Sequence, residues 1–106
     1  MAEQQSGVQV NDDPEHGRYL ITVDGTEAGG AYYQIDRGRV RFTHTEIADE
    51  FGGRGLASKL AKAALDDVRA TGRTAIPQCP FIAGYIRKHQ EYLDVVDERH
   101  RQSVIV

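Results

Sequence analysis

Apolar and polar positions alternate along the first half of this chain and recur at helical spacing through much of the second. Tyr19, Ile21 and Val23 alternate with Leu20, Thr22 and Asp24, and the Asp24-Gly25 pair that follows is a turn signal. A second run, Ala28 to Ile35, closes at Asp36-Arg37-Gly38, another turn. The third, Arg39 to Ile47, sets Val40, Phe42, His44 and Glu46 on one face and Arg41, Thr43, Thr45 and Ile47 on the other. With a short strand near Val8 to Asn11, three or four antiparallel strands are predicted, after a frayed stretch over residues 1–7. From Gly55 the period changes. Leu56, Leu60, Ala64 and Val68 recur on one stripe, flanked by Ala57, Ala61 and Leu65, while Lys59, Lys62, Asp66 and Arg69 point elsewhere. That is an amphipathic helix, with Gly72 as its left-handed cap.

Thr74 to Cys79 reads as one more strand, although Pro77 lacks the N–H that a complete ladder needs. Pro80 suits the first position of a second helix, Phe81 to about His89, with Cys79 as N-cap. Residues 97–106 read as a C-terminal tail or a short strand, and no repeat, low-complexity segment or linker interrupts the chain. Its 106 residues fit one domain, expected over residues 8–96, too small for separate cofactor and substrate domains.

Composition narrows the function classes. A hydrophobic fraction of 40% with 27% charged residues is that of a water-soluble domain, and no window approaches the roughly 20 apolar residues of a membrane span. The polar, acidic start MAEQQSGVQVNDDPEHG is unlike a secretory signal, so the expected address is the cytoplasm. A net charge of −3 argues against a general nucleic-acid binder. Cys79 is alone and cannot form an intramolecular disulfide. His16, His44, His89, His100 and Cys79 have no zinc spacing, and no metal is expected.

The segment Gly52-Gly53-Arg54-Gly55 runs straight into the long helix. A helix start offers unpaired N–H groups and the positive end of the macrodipole, so a glycine-rich approach suits an anion. It is not a Walker A loop, since no Gly-Lys-Ser/Thr follows, and it fails as a dinucleotide fingerprint because Ser58 stands at the third small apolar position. A plain turn between strand and helix is the rival reading.

Ile47-Ala48-Asp49-Glu50-Phe51-Gly52-Gly53-Arg54-Gly55-Leu56-Ala57 resembles the acetyl-coenzyme A signature of GNAT-superfamily acetyltransferases, in which Arg/Gln-x-x-Gly-x-Gly/Ala opens a helix. Gly55 and Ala57 match its last positions; Gly52 stands where Arg or Gln is usual, and Asp49 replaces a frequent proline. The order of elements, the His-Thr-Glu strand end and the Cys-Pro-Phe turn further resemble the small single-domain GNAT-like proteins, over roughly residues 8 to 96. The resemblance implies an α/β fold of the α+β mixed-sheet kind, a minimal GNAT acyltransferase: antiparallel strands, helix, splayed strand, helix. It implies acetyl-coenzyme A as cofactor, its pyrophosphate held by the loop from Gly52 through the backbone of Gly53, Arg54, Gly55, Leu56 and Ala57, with the Ser58 hydroxyl nearby. Arg54 and Lys59 would neutralise phosphate charge, if they are not simply solvated. Ile47 would present main-chain groups to the pantetheine arm, and Pro77 would help the last strand part from its neighbour, or else merely mark an edge.

For the chemistry, the resemblance implies a base, direct or through water, on the strand before the loop, for which the Glu46 carboxylate and His44 are candidates as base or water relay, and a tyrosine acid in the last helix, for which Tyr85 is the candidate. Cys79, at the positive end of a helix, is a candidate nucleophile, a wall of the acetyl pocket, or a small buried hydrophobe. His89 could partner the thiol only if the helix brought its ring back, over a distance that the sequence does not show. The expected function is acetyl transfer to a primary amine by direct attack, in a shallow groove suited to a peptide or protein amine, by a monomer or weak homodimer. A noncatalytic acyl-coenzyme A binding or sensing module and a plain interaction domain are the alternatives.

Overall fold

A computed structural model describes residues 7–105; residues 1–6 of the stretch expected to fray, and Val106, lie outside the described residues. A five-stranded sheet carries everything else. Its strands are β1 (Val8–Asp13), β2 (Arg18–Val23), β3 (Thr26–Asp36), β4 (Arg39–Ile47) and β5 (Thr74–Pro77), in spatial order β1-β2-β3-β4-β5. β1 to β4 are antiparallel, and β5 runs parallel to β4. The two central hairpins turn through Asp24-Gly25 and Arg37-Gly38, each a two-residue loop with both residues at positive φ, which matches the twist of paired strands.

Helix α1 (Leu56–Ala70) crosses all five strands on one face of the sheet. Its predicted stripe is the buried one: Leu60, Ala61, Ala64, Leu65 and Val68 are fully buried against Ile21, Ala31, Val40 and Phe42. Each of the larger side chains contributes about 1.5–3 kcal/mol by leaving water. The helix ends as expected at Gly72, where Gly72 N–H donates to Arg69 O and Arg73 N–H to Val68 O. Helix α2 (Pro80–Lys88) packs Ile82, Ala83 and Ile86 into the same core, with Cys79 at its N-cap. Both α-helices therefore lie on one side, and neither covers the other side.

Two findings differ from the pattern reading. The first is a bulge in β4. Tyr32 pairs with His44 but Tyr33 pairs with Phe42, which leaves Thr43 as an extra residue. Period-two alternation is therefore broken at Thr43. Val40 and Phe42 face the core together with Thr45 and Ile47, and His44 and Glu46 turn to the helix-free face. The second concerns the chain end. Residues 97–105, expected as a tail or a short strand, contain a short 3-10 helix, Glu98–Ser103, that docks on the domain. Val104 is fully buried, the Gln90 side-chain amide donates to Val104 O at 2.9 Å, and Asp97 N–H donates to Ala75 O at 2.8 Å. Just before it, Val96 bridges Ala75 on the outer side of β5. Among the described residues no helix is long and apolar enough to cross a membrane.

Candidate functional site

The site begins where β4 and β5 part. Their pairing runs from Arg39 with Thr74 to Phe42 with Pro77 and is closed by Cys79 N–H donating to Phe42 O at 2.8 Å. β4 continues for five more residues, Thr43 to Ile47, with no strand on that edge among the described residues. Ala48 N–H donates to Ala28 O across the β3 side, so the alternation of an antiparallel ladder turns the backbone groups of His44 and Glu46 toward β3 and those of Thr45 and Ile47 to the open edge. Pro77, without an N–H, stands at the point of divergence.

Beyond Ile47 the chain makes a 3-10 turn, Asp49–Phe51, and buries Phe51 beneath the glycine loop. The Arg54 guanidinium lies over the Phe51 ring, 5.2 Å from its centre. Gly53 and Gly55 hold φ of +79° and +73°, a region that side chains with a Cβ resist. Gly52, at φ −66°, is in ordinary extended backbone, so its conformation would suit the Arg or Gln more usual at that position. Gly55 is the N-cap of α1 and has no side chain to cap it. Its carbonyl accepts from Lys59 N–H, while among the described residues the N–H groups of Leu56, Ala57 and Ser58 have no protein acceptor. The loop thus leaves three donors and the positive end of a 15-residue helix facing outward.

The four candidates for chemistry fall into three places. His44 and Glu46 sit together on the helix-free face, with Nε2 of the histidine 3.2 Å from the Glu46 carboxylate and both more than half exposed. Their surroundings were not legible in the sequence: the Tyr32 ring stacks on His44, the Tyr32 hydroxyl donates to Glu46 at 3.5 Å, and Arg18 donates to the Tyr32 hydroxyl at 3.5 Å. Cys79 lies on the opposite, core side of β4. It is 2% exposed, and its Sγ is 3.2 Å from Thr45 Oγ1 across the foot of the split. Thr45, which unbroken alternation would turn away, borders the split beside Cys79, and only the bulge brings it there.

Tyr85 occupies a third position, in a cleft between the start of α1 and α2 that Ser58, Phe81, Gly84, Lys88 and His89 also line. Its ring stacks on His89 at 4.1 Å, so the imidazole is a partner of Tyr85 rather than of Cys79. Among the described residues the Tyr85 hydroxyl has no hydrogen-bond partner. Burial pushes its pKa above the ordinary phenol value against the opposing charge of Lys62, which keeps the group protonated at neutral pH. No hydrogen bond or ring contact among the described residues joins Tyr85 to Cys79 or to the His44–Glu46 pair. The arrangement offers an anion site at the α1 start, a strand edge leading from it, a carboxylate–imidazole pair on one side and a protonated phenol on the other.

Comparison with known proteins agrees with that geometry. The family described as GCN5-related N-acetyl-transferase matches residues 18–95. Protein NATD1 of Gallus gallus is 31% identical over 98 residues, 89% of this chain and 89% of its own length. The Homo sapiens NATD1 is 30% identical over 96 residues, 87% of this chain and 85% of its own. A GCN5-like protein of Staphylococcus aureus, solved in solution by NMR, superposes with a TM-score of 0.64 at 25% identity, over 90% of this chain and 96% of the other.

Proposed function

The chain belongs to the family of GCN5-related N-acetyltransferases, and from that premise we propose that it moves an acetyl group from acetyl-coenzyme A to a primary amine by direct attack. The observation that supports this most is the continuity of the free β4 edge with the uncapped start of α1. A group carrying both a pyrophosphate and an amide-bearing arm fits that combination; a turn serving only the fold would need neither the outward donors nor the parted strand. The N–H groups of Leu56, Ala57 and Ser58 would receive the pyrophosphate, with Gly52, Gly53, Arg54 and Gly55 shaping the approach. The backbone of Thr45 and Ile47 would take the pantetheine amides as a sheet edge takes an added strand. When bound, the coenzyme supplies an acetyl thioester with a thiol as leaving group.

This chain's own residues then handle protons. An attacking amine must first lose a proton, and the Glu46 carboxylate with the His44 imidazole at 3.2 Å can accept it, directly or through water. The Tyr85 phenol, held protonated, can supply one to a departing thiolate. Cys79, buried and bonded to Thr45, walls the foot of the split instead of opening onto the acceptor face. An open groove on the helix-free side suits an amine presented by a peptide or protein.

Calorimetric titration of acetyl-coenzyme A and a time course of free coenzyme A release with pooled amines test this reading. One saturable site per chain is expected, with release lowered about 100-fold in Glu46→Gln. No binding at millimolar ligand would sink the reading; binding without release above the no-protein rate would make the chain a coenzyme A-binding module.

A further inference from the structure

On the helix-free face, a groove of about 440 Å³ runs beside the end of β4. Its charges are three carboxylates, Glu27, Glu46 and Asp49, against the single guanidinium of Arg18. That guanidinium is already shared, donating to Asp13 at 3.1 Å and lying 3.5 Å from Glu27. Among the described residues Asp49 has no ion-pair partner, so the groove holds more negative charge than its own lining neutralises.

We propose that this groove receives the acceptor and that Glu27 and Asp49 select an alkylammonium chain bearing a second cationic group. The proposal rests on the acyl-transfer reading above. Glu46 is accounted for there by the proton that the reacting amine must lose. Glu27 and Asp49 are carboxylates beyond that need, and a substrate with one amine would leave Glu27 only its share of Arg18 and Asp49 no partner among the described residues. A substrate with two cationic nitrogens joined by methylenes uses both: one nitrogen reaches Glu46, and the other stays charged against a rim carboxylate.

The floor fits a methylene chain. Leu20 and Gly29 line the groove, and Gly30 lies beside them in the sheet, paired with Leu20 and with Glu46. A Cβ built on Gly30 would come 3.3 Å from Tyr19 O, 3.4 Å from Arg18 Cδ and 3.5 Å from Tyr32 Cε1, so a larger side chain there would crowd Arg18 and Tyr32, which line the groove. The absence of side-chain bulk, not an apolar pocket, makes the passage, which favours a slender flexible ligand over a ring. A free diamine and a lysine in a basic peptide share this chemistry.

The test measures kcat/KM for coenzyme A release with diaminobutane, with a peptide containing adjacent lysines, and with butylamine. At least one dication should exceed butylamine about tenfold. Glu27→Lys, at a largely exposed side chain, should erase about fivefold of that advantage through KM without changing the affinity for acetyl-coenzyme A. Gly30→Leu should raise KM for all three amines alike. Preference for diaminobutane assigns a free polyamine and preference for the peptide a protein side chain; equal values for butylamine and both dications overturn the selection while acyl transfer stands. If no amine supports release, amide NMR shifts decide: movement of Glu27, Gly30 and Glu46 with diaminobutane but not with butanol supports the groove, and no movement overturns it. Loss of acetyl-coenzyme A binding is a separate result, and counts against the donor reading alone.

Discussion

Gly55 offers a way to separate a loop that only turns the chain from one that meets a phosphate. A Cβ built there finds no atom within 4 Å, so Gly55→Ala creates no clash and its cost lies in the φ of +73°. An L-residue in that region loses about 1–2 kcal/mol. The lower entropy of the unfolded variant returns about 0.4–1 kcal/mol. The net loss of about 1 kcal/mol lowers Tm by about 4–8 °C in a domain of this size. Gly55→Asn tolerates the left-handed region better, so Tm should largely recover. Binding should not recover with it. The asparagine side chain stands at the helix N-cap, where it crowds or itself bonds the N–H groups of Ala57 and Ser58. One lost N–H to phosphate contact, about 1.5–3 kcal/mol, is about 10- to 100-fold in Kd. Differential scanning calorimetry and acetyl-coenzyme A titration on the same samples read both effects. If Gly55→Asn restored Tm and also bound with wild-type affinity, the outward donors would play no part in binding and the glycine would be there for the turn.

Gly29→Ala should lose about 2–3 kcal/mol in urea unfolding, because its Cβ would lie 2.3 Å from Glu46 O and 2.9 Å from Ile47 Cα and force β4 to move; a wild-type midpoint would contradict the β3–β4 register there. Val104→Ala should cost about 2 kcal/mol, since Val104 is fully buried, whereas a true tail would tolerate it unchanged. The His100 imidazole, aided by Arg99 N–H and Arg39, outweighs partial desolvation and holds Asp97 below the ordinary aspartate value of 3.8. The Tm advantage of wild type over Asp97→Asn should therefore be full above that value and shrink as pH falls through the lowered pKa. Cys79→Ala should lose about 1 kcal/mol of stability yet keep coenzyme A release within about twofold; abolished release in a variant that still binds acetyl-coenzyme A would restore a covalent route through the thiol.

Legibility in the sequence followed the range of the interactions concerned. The α1 stripe from Leu56 to Val68, the turns at Asp24-Gly25 and Arg37-Gly38, and the divergence at Pro77 are local, and each is readable because side-chain spacing or a missing donor constrains the backbone directly. The 3-10 helix Glu98–Ser103 is the opposite case. Its charged residues look like a solvated tail, but it is held by backbone groups and by partners far away in sequence: Arg87 donates to Ser103 O, Gln90 to Val104 O, and Arg39 lies 3.9 Å from Asp97. Only Val104 marked it as something to bury. The chain Arg18–Tyr32–Glu46 was equally hidden, since its members come from three strands and meet only once the register is set.

The bulge at Thr43 decides how one strand serves two sides of a sheet. With unbroken alternation from Phe42, His44 and Glu46 would enter the core, where a carboxylate without a matched partner is costly enough to be neutralised or expelled. Thr45 would then point away from Cys79, and the contact at the foot of the split would vanish. One inserted residue reverses both outcomes. It keeps Val40 and Phe42 under α1, returns Thr45 and Ile47 to the helix side, and sends His44 and Glu46 to the face that the helices leave bare. Among the described residues both α-helices pack on one side of the sheet, so neither brings a group to the face that His44 and Glu46 share. Under the acyl-transfer proposal one strand both carries the base and borders the donor cleft, and β4 does both by breaking its own period.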